Sequence, residues 1–492
     1  MIIKSEQNEI QNYLKDASNT SGYCDAVYYP ETTDDVIGVI KEANQKNFKV
    51  TVCGNRTGLT GASVPMGGIV LSTEKMNKIL EINKEEKYAI VESGVLLSDF
   101  LKELKPKNLY YPPDPTELNC FIGGTVATNA SGSKTFKYGP TRNFIFGMEI
   151  VLPTGEILKL NRGDNFAKKN NLSIKTVLDK TYKLNIPAIR SIQTKNAAGY
   201  FCKENMDAID LFIGSEGTLG IITKIKLKLL IPPEDTISCV LFFDDETTAL
   251  NFLEEARDLS YKNRKRKNYT SIDALALEFF DEKALKFLVN DFSAIPENAK
   301  AAIWFEQECS RDSSDLILEA WYTLMQKHGI NKEFSWFAFN EGDKKKIKDF
   351  RHAISWKVNE YVVRNNFRKL GTDVAVPDKS IREFYFTLQN WAQLSNIDSV
   401  AYGHFGNSHI HLNFLPKNDL EFDESKKLYS KICEEAVRLD GTISAEHGIG
   451  KNKTALLKMM YGEKVINAMF ALKKTLDPNL ILGYGNIFAL TS

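Results

Sequence analysis

The chain has 492 residues, of which 43% are hydrophobic and 26% charged, and its net charge is zero. This length exceeds what one compact core usually holds, so it predicts a globular protein of two or three domains. The balanced charge gives no reason to expect a nucleic-acid partner or a general attraction to membranes. No apolar run approaches the ~18 residues of a spanning helix, and the polar opening MIIKSEQNEIQNYLKDASN is unlike a signal peptide.

The seven cysteines are scattered along the chain and contain no CxxC pair. This pattern predicts reduced thiols in a cytoplasmic protein, with no disulfide framework. It also excludes an obvious iron–sulfur cluster or cysteine-rich zinc site.

The first predicted elements form a strand–helix–strand unit. Residues 25–29 and 48–52 are the predicted strands, and Thr33 is the predicted cap of the helix between them. Short strands and glycine-rich loops follow as far as Pro232 and Pro233, which predict a linker. The strand–helix–strand unit therefore predicts an α/β arrangement at the start of the chain.

The second region, 235–440, mixes strand patterns with amphipathic helices. ISCVLFFDD, AAIWFEQEC, SVAYGHF and HIHLNFLP predict strands, and their arrangement favours an α+β domain with an antiparallel sheet. The last part of the chain predicts one or two helices that end at Pro478. Two basic runs, 261–269 and 342–349, are interpreted as solvated surface, with contact to anionic lipid or a redox partner as the alternative.

Glycine and small residues concentrate in three stretches, CGNRTGLTGAS, CFIGGTVATNASGSKTFKYGPTRN and LFIGSEGTLGIIT. Loops of this kind let the backbone approach a ligand and point successive N–H groups at an anion. Any one of them alone reads as a tight turn, but three in one region indicate a site for a phosphate-bearing cofactor. Neither a GxGxxG fingerprint nor a P-loop is present.

These stretches resemble the FAD-binding domain of the vanillyl-alcohol oxidase and p-cresol methylhydroxylase superfamily. The resemblance is closest to its FAD-linked D-2-hydroxy-acid dehydrogenase branch, which holds D-lactate dehydrogenase, D-2-hydroxyglutarate dehydrogenase and the FAD subunit of glycolate oxidase. The ordered segments PPDPTE, IGGTVATNASG, YGPTRNFIFGMEIVLPTGE, KNAAGY and GSEGTLGIIT carry it over roughly residues 24 to 480.

The resemblance implies an α+β fold: a two-subdomain FAD-binding domain, 1–234, and a cap or substrate domain, 235–440, with an antiparallel sheet. Residues 441–492 are then a C-terminal segment that completes the active site and packs on the FAD domain. We expect non-covalent FAD, because the first histidine of the chain is His328 and a histidyl link in the N-terminal half is impossible. The implied FAD-binding residues are Gly54, Asn55, Arg56, Thr57, Gly58, Thr60, Gly61, Pro113, Asp114, Gly123, Gly124, Thr128, Asn129, Ser131, Gly132, Tyr138, Gly139, Glu216, Gly217, Gly220 and Ile221.

Four of the six histidines fall in AYGHFGNSHIHLNF and SAEHGIGK. Strand alternation in SHIHLNF places His409 and His411 on one face, and a turn at FGNS could place His404 across from His411. Two histidines, one carboxylate and an open position are the composition of a catalytic metal site. Spacing alone leaves the pair open between His404 with His411 and His409 with His411.

The resemblance selects His404, His411 and Glu446 as ligands of a divalent metal, zinc or alternatively manganese or iron. It places His447 at the general-base position. Asn407, Ser408 and His409 depart from the Asp, Gly and Asn that are usual there. His409 is assigned to substrate contact, with support of the site or metal ligation as alternatives.

A substrate carboxylate also needs a cation. The resemblance assigns substrate binding to Arg351 and to Lys369, although the match at Lys369 requires a gap in the alignment with the family. The alternative for each is an ordinary surface charge. The implied reaction is oxidation of a D-2-hydroxy acid to the 2-keto acid by hydride transfer to flavin.

The alternatives are a non-redox transferase of the alkylglycerone-phosphate synthase type and a phenol oxidase of the vanillyl-alcohol type. Glu446 and the paired histidines argue against both. Expected partners are the hydroxy acid and an electron acceptor, which is a quinone, a cytochrome, a flavoprotein or an iron–sulfur subunit, with a homodimer as the assembly considered. The predicted location is cytoplasmic, with peripheral contact to the inner membrane as a variant.

Overall fold

The computed structural model describes residues 1–490 and arranges their strands in sheets of four, two, five and eight strands. The elements of the first 230 residues are β1 Ile2–Lys4, α1 Gln7–Ile10, β2 Ala26–Tyr29, α2 Thr33–Lys46, β3 Val50–Cys53, β4 Ile69–Ser72, β5 Ile79–Asn83, β6 Tyr88–Glu92, α3 Leu97–Leu104, α4 Ile122–Thr128, α5 Thr135–Tyr138, β7 Ile145–Val151, β8 Ile157–Asn161, β9 Asn171–Lys175, β10 Thr181–Asn185, α6 Ile209–Phe212 and β11 Ile221–Lys228.

The predicted strand–helix–strand opening is confirmed as β2, α2 and β3. Strands β2, β4 and β3 are parallel neighbours, and β1 pairs antiparallel with β2. The predicted helix cap is wrong by one residue: Thr32 caps α2, because its side chain accepts from the Asp35 N–H while the Asp35 carboxylate accepts from the Thr32 N–H. The five-stranded antiparallel sheet β5-β6-β11-β7-β8 and the hairpin β9-β10 follow.

The remaining elements are β12 Asp235–Phe243, α7 Glu246–Arg266, β13 Ala276–Asp281, α8 Glu282–Leu288, β14 Ala301–Cys309, α9 Ser314–Lys327, β15 Trp336–Phe337, α10 Glu341–Arg364, β16 Leu370–Gly371, β17 Val374–Ala375, α11 Ile381–Leu394, β18 Ser399–Gly403, β19 His409–Phe414, α12 Asp419–Arg438, α13 Thr454–Tyr461 and α14 Glu463–Leu476. Strands β12 to β19 form one antiparallel sheet in the order β15-β12-β14-β13-β18-β19-β16, with β17 also on β19. The predicted antiparallel sheet and its four strand segments are therefore confirmed.

The end of the chain returns to the first sheet. Leu482 bridges to Val50 of β3, and the buried ammonium of Lys473 donates to the carbonyl oxygens of Thr218 and Leu482 at 2.9 and 3.0 Å. The last helix ends at Leu476, just before the predicted stop at Pro478. This packing is consistent with the predicted C-terminal segment, and the domain boundaries themselves stay predictions.

Two further sequence expectations concern redox state and membrane crossing. All seven cysteines are free thiols, as expected. Among residues 1–490, no helix combines the length and the apolar character that crossing a bilayer requires.

Candidate active site

The histidine segment forms two adjacent antiparallel strands joined by a short turn. Its register pairs His411 with Tyr402, so the expectation that His404 lies across from His411 is wrong. His404 lies instead beyond the end of β18, in the turn that closes with Ser408 in the left-handed region at φ 52°. The predicted shared face of His409 and His411 is present, and their ring centroids are 4.3 Å apart.

Two imidazole nitrogens converge on one carboxylate oxygen. Nε2 of His404 lies 3.5 Å from Oε1 of Glu446, and Nε2 of His411 lies 3.3 Å from the same atom. Ligands about 2.1 Å from a tetrahedral ion lie roughly 3.4 Å from one another. One nitrogen of each histidine and one oxygen of Glu446 lie within 4.8 Å of one another, so the three residues are spaced to share a divalent cation and fit the metal that the sequence implies.

The other nitrogen of each ring is tied to the protein. Nδ1 of His404 donates to Oε1 of Glu278 at 2.5 Å, and Nδ1 of His411 donates to the carbonyl oxygen of Thr372 at 3.1 Å. Such contacts fix the tautomer that leaves Nε2 free to accept a metal. Burial would raise the pKa of Glu278, but the adjoining His404 imidazole and Arg351 guanidinium outweigh it and lower that pKa to about 2.

The loop that carries Glu446 and His447 is held by a buried carboxylate, Asp373. Its side chain accepts from the N–H groups of Glu446 at 3.2 Å and His447 at 3.0 Å, and from Lys453 Nζ at 2.9 Å. Burial acts to raise the pKa of Asp373, but the neighbouring His447 imidazole and Lys453 ammonium hold it well below its usual range. Asp373 therefore stays ionised and fixes the backbone of both site residues.

His447 lies at the open side of this cluster. Its ring stacks on His411 with centroids 5.5 Å apart and an interplanar angle of 15°. Nδ1 lies 3.5 Å from Oδ2 of Asp373, and Nε2 lies 3.6 Å from Oε1 of Glu446. With 24% of its side chain exposed, His447 is more accessible than the other groups of the cluster, so a small molecule can reach it.

Glu216 connects the glycine-rich loops to this site. Its carboxylate accepts from the N–H groups of Ile449 at 2.8 Å and Gly450 at 2.6 Å, and burial raises its pKa to about 7. The Glu216 side chain thus holds the loop that follows His447. Thr60 reaches the same loop, because its hydroxyl donates to the His447 carbonyl oxygen at 3.4 Å.

Three glycines of the first two glycine-rich stretches have room beside their backbone. A Cβ added at Gly58 or Gly124 would meet no atom within 4 Å, and one added at Gly54 would come no closer than 3.9 Å to Gly124. By contrast, a Cβ at Gly123 would lie 2.5 Å from Ser93. The space beside Gly54, Gly58 and Gly124 fits a ligand that approaches the backbone closely, as a pyrophosphate does.

The side chains of Asn55 and Arg56 hold the first loop in place. Asn55 donates to the Asn119 carbonyl oxygen at 2.5 Å, and the Arg56 guanidinium lies over the Tyr13 ring at 4.4 Å. Arg56 has φ 58°, in the left-handed region that costs a non-glycine residue roughly 1 kcal/mol. This is where the resemblance expects glycine, and the Tyr13 contact offsets part of that cost.

Three of the other assigned residues also bind protein groups. The Asp114 carboxylate accepts from Ser133, Asn129 accepts from the Arg142 N–H, and the Tyr138 hydroxyl donates to Glu308 across to β14. FAD contact stays a prediction for these and for the remaining assigned residues of the same stretches, Thr57, Gly61, Pro113, Thr128, Ser131, Gly132, Gly139, Gly217, Gly220 and Ile221.

The two predicted substrate cations lie on different elements, Arg351 on α10 and Lys369 just before β16. Arg351 of α10 is buried, with Nη2 3.3 Å from Oε2 of Glu278 and Nη1 donating to Thr116 at 3.3 Å. Lys369 directly precedes β16, whose Gly371 pairs with Asn413. Burial alone lowers the pKa of Lys369 to about 8, with no neighbouring carboxylate within residues 1–490 to oppose it. The side chain of Asn413 is buried beside the Tyr402 hydroxyl.

His409 lies behind the converging atoms and is 0% exposed. Its Nδ1 is 3.4 Å from Lys195 Nζ, and its Nε2 is 3.0 Å from Oδ1 of Asp373, off the line of a good hydrogen bond. Both nitrogens therefore face protein groups. This placement gives no support to the expected substrate contact. One ring nitrogen of His409 also lies within 4.8 Å of ligand atoms of His404, His411 and Glu446, so support of the site and metal ligation both stay predictions.

Sequence reasoning missed Glu278, Asp373 and Lys195. Glu278 is the one carboxylate inside the apolar run ALALEFF, and Asp373 precedes the apolar VAV, so a lone charge in a buried strand was the available signal. Lys195 belongs to KNAAGY, a segment used only for the resemblance, and nothing in its spacing indicated the histidines.

Two family models match the chain. Residues 24–161 match the FAD binding domain, and residues 233–487, more than half of the chain, match the C-terminal domain of the FAD linked oxidases. The chain belongs to the FAD linked oxidases and is an FAD-linked oxidoreductase.

Individual relatives are similar over most of their length. A D-lactate dehydrogenase of Anaerostipes hadrus is 29% identical, covering 93% of this chain and 88% of the relative. Glycolate oxidase subunit GlcD of Bacillus subtilis is 28% identical, covering 94% and 89%. A D-2-hydroxyglutarate dehydrogenase of Stutzerimonas stutzeri is 27% identical, covering 94% and 91%.

Solved structures show the fold. p-Cresol methylhydroxylase with bound substrate superposes with a TM-score of 0.72 at 16% identity, covering 99% of this chain and 94% of that chain. An alkyldihydroxyacetonephosphate synthase superposes with a TM-score of 0.67 at 16% identity, covering 98% and 81%. The predicted fold class, an FAD-binding fold of the p-cresol methylhydroxylase type, is confirmed.

Proposed function

We propose that this FAD-linked oxidoreductase oxidises a D-2-hydroxy acid to the 2-keto acid with help from a divalent cation held by His404, His411 and Glu446. The observation that carries the proposal is the approach of two Nε2 atoms to Oε1 of Glu446, at 3.5 and 3.3 Å. The names of the relatives support a hydroxy acid as the substrate class. When bound, FAD supplies a hydride acceptor and the cation supplies a Lewis acid for the substrate hydroxyl.

His447 is the proposed general base. Its imidazole is the most accessible nitrogen donor of the cluster, and its backbone is fixed by the 3.0 Å bond to Asp373. Nε2, 3.6 Å from Oε1 of Glu446, borders the space in which a hydroxyl beside the cation would lie. A positioned imidazole there takes the hydroxyl proton as the Cα–H bond breaks.

Arg351 and Lys369 are the proposed anion-binding groups. Arg351 is already paired with Glu278, so a substrate carboxylate would share its guanidinium, which has five N–H donors. Lys369 directly precedes the strand that pairs with the strand carrying His411, and burial alone acts on its pKa, with no neighbouring carboxylate among the described residues to oppose it. These groups favour an anionic substrate over a phenol.

Substrate affinity is expected to depend on the Lys369 proton. Its pKa of about 8 means that the ammonium is present below that pH and is lost above it. We expect KM for an anionic substrate to rise up to about tenfold by pH 9. Lys369→Met should raise KM at neutral pH and flatten this rise, whereas a rise that persists in the variant would contradict the assignment. Initial rates across pH, at saturating acceptor, measure it.

The reaction class is tested by anaerobic mixing of the FAD-loaded protein with a panel of D- and L-2-hydroxy acids. Bleaching of the oxidised flavin by D-2-hydroxy acids, lost on treatment with a chelator and regained with zinc or manganese, is the expected result. Bleaching by phenols alone, or full bleaching in metal-free protein, would overturn the proposal.

Turnover also requires an electron acceptor, for which quinones, cytochromes, flavoproteins and iron–sulfur proteins are compared. The seven free cysteines support a reducing, cytoplasmic location.

A further inference from the structure

A buried lysine contacts the carboxylate at the centre of the histidine cluster. The Lys195 side chain is 4% exposed, and its Nζ donates to Oε2 of Glu446 at 2.6 Å. Nζ also lies 3.4 Å from Nδ1 of His409. No step of the proposed reaction uses this ammonium.

The residues next to Lys195 are fixed against the segment that leads to Glu446. Asn196 Oδ1 accepts from the Thr442 hydroxyl at 2.6 Å, and the Ala197 N–H donates to the Ser444 carbonyl oxygen at 2.8 Å. Three successive residues, 195–197, therefore bind the 442–446 segment. The ion pair belongs to this buried contact between two segments and is not an isolated surface pair.

The two carboxylate oxygens of Glu446 contact different groups. Oε1 faces the Nε2 atoms of His404, His411 and His447 at 3.5, 3.3 and 3.6 Å. Oε2 faces the ammonium. A carboxylate with one oxygen bound to a buried ammonium has only the other oxygen to offer a cation on its far side.

His409 completes the environment of the ammonium. Its Nδ1 lies 3.4 Å from Nζ of Lys195, and its Nε2 lies 3.0 Å from Oδ1 of Asp373. A neutral ring with its proton on Nε2, towards Asp373, presents Nδ1 as an acceptor to Lys195. An ammonium in this interior therefore has two acceptors, which offset the cost of its burial.

We infer that Lys195 is a positioning residue that holds Glu446 as a one-oxygen ligand, with His409 as the second acceptor of its ammonium. This inference rests on the proposed metal site. It explains why His409 stays buried at a position where the resemblance expects asparagine, a residue whose amide oxygen could accept the same hydrogen bond.

The test uses the full chain with its FAD and with Co²⁺ as the bound metal. The wild-type protein should give a visible cobalt spectrum of low coordination number, and X-ray absorption should find one carboxylate oxygen in the metal shell. In Lys195→Met, Oε2 is released to bind, so the shell gains an oxygen and the cobalt absorption weakens as the coordination number rises. Lys203→Met is the matched control, because Lys203 is exposed and lies over the Phe201 ring without contacting the cluster.

Each outcome separates this inference from the proposed function. If the wild-type protein binds no Co²⁺, the metal site itself fails. If it binds Co²⁺ through both oxygens of the carboxylate, or if Lys195→Met keeps the wild-type spectrum, only the role of Lys195 fails. Should Lys195→Met not fold, the wild-type X-ray absorption still decides between one oxygen and two.

Discussion

The His447→Asn variant is expected to bind FAD normally but to reduce it with substrate roughly 10²–10⁴-fold more slowly than the wild type. Asparagine keeps the backbone bond to Asp373 but cannot take a proton at the position of Nε2, 3.6 Å from Oε1 of Glu446. Single-turnover stopped-flow absorbance of the flavin measures the reduction directly, without interference from the electron acceptor.

His328→Asn is the matched control for this variant. His328 lies at the end of α9, where its ring contacts the Glu255 carboxylate at 2.9 Å, remote from the cluster. The control should reduce its flavin at the wild-type rate. An unchanged rate in His447→Asn would refute the base assignment, and loss of FAD from that variant would show that the histidine acts through structure.

The second large effect is expected on metal content. His404→Ala should bind no metal at one equivalent and lose hydroxy-acid oxidation, because it removes one of the three converging ligand atoms. His409→Ala should keep one ion per chain in excess metal, with affinity lowered by about 10–100-fold, as expected for a group that supports a ligand from behind. Elemental analysis after gel filtration, with FAD content measured in parallel, compares the two variants.

The reverse result would change the ligand set. If His409→Ala loses the ion and His404→Ala retains it, the ligand pair is His409 with His411. In the structure, Nδ1 of His409 faces Lys195 and Nε2 faces Asp373. To bind the ion, His409 would have to turn one of these nitrogens away from its present neighbour. Equal loss in both variants would indicate a site with three histidine ligands.

Much of the fold could be predicted because local patterns carry it. The strands of the large sheet follow apolar runs such as AAIWFEQEC, and the opening strand–helix–strand unit follows the period of its buried side chains. The misses were local as well. The cap of α2 moved from Thr33 to Thr32, since both are threonines and only the pairing with Asp35 distinguishes them.

The register of the histidine strands could not be predicted from their spacing. A turn at FGNS was consistent with more than one pairing, and the observed left-handed Ser408 sets the one that places Tyr402 opposite His411. A shift of one residue would exchange the faces of every side chain on β19, so the identity of the ligand pair depends on this turn.

The residue types, their order and their resemblance to FAD-linked enzymes are readable along the chain, because glycine-rich loops and histidine pairs are local features. The contacts that assemble the site are not local. Lys195 and Glu446 are 251 positions apart, and His404 and Glu278 are 126 positions apart. Such pairs are joined only when the two halves of the chain and its C-terminal loop pack together, since burial of their apolar surfaces, and not sequence spacing, fixes those distances.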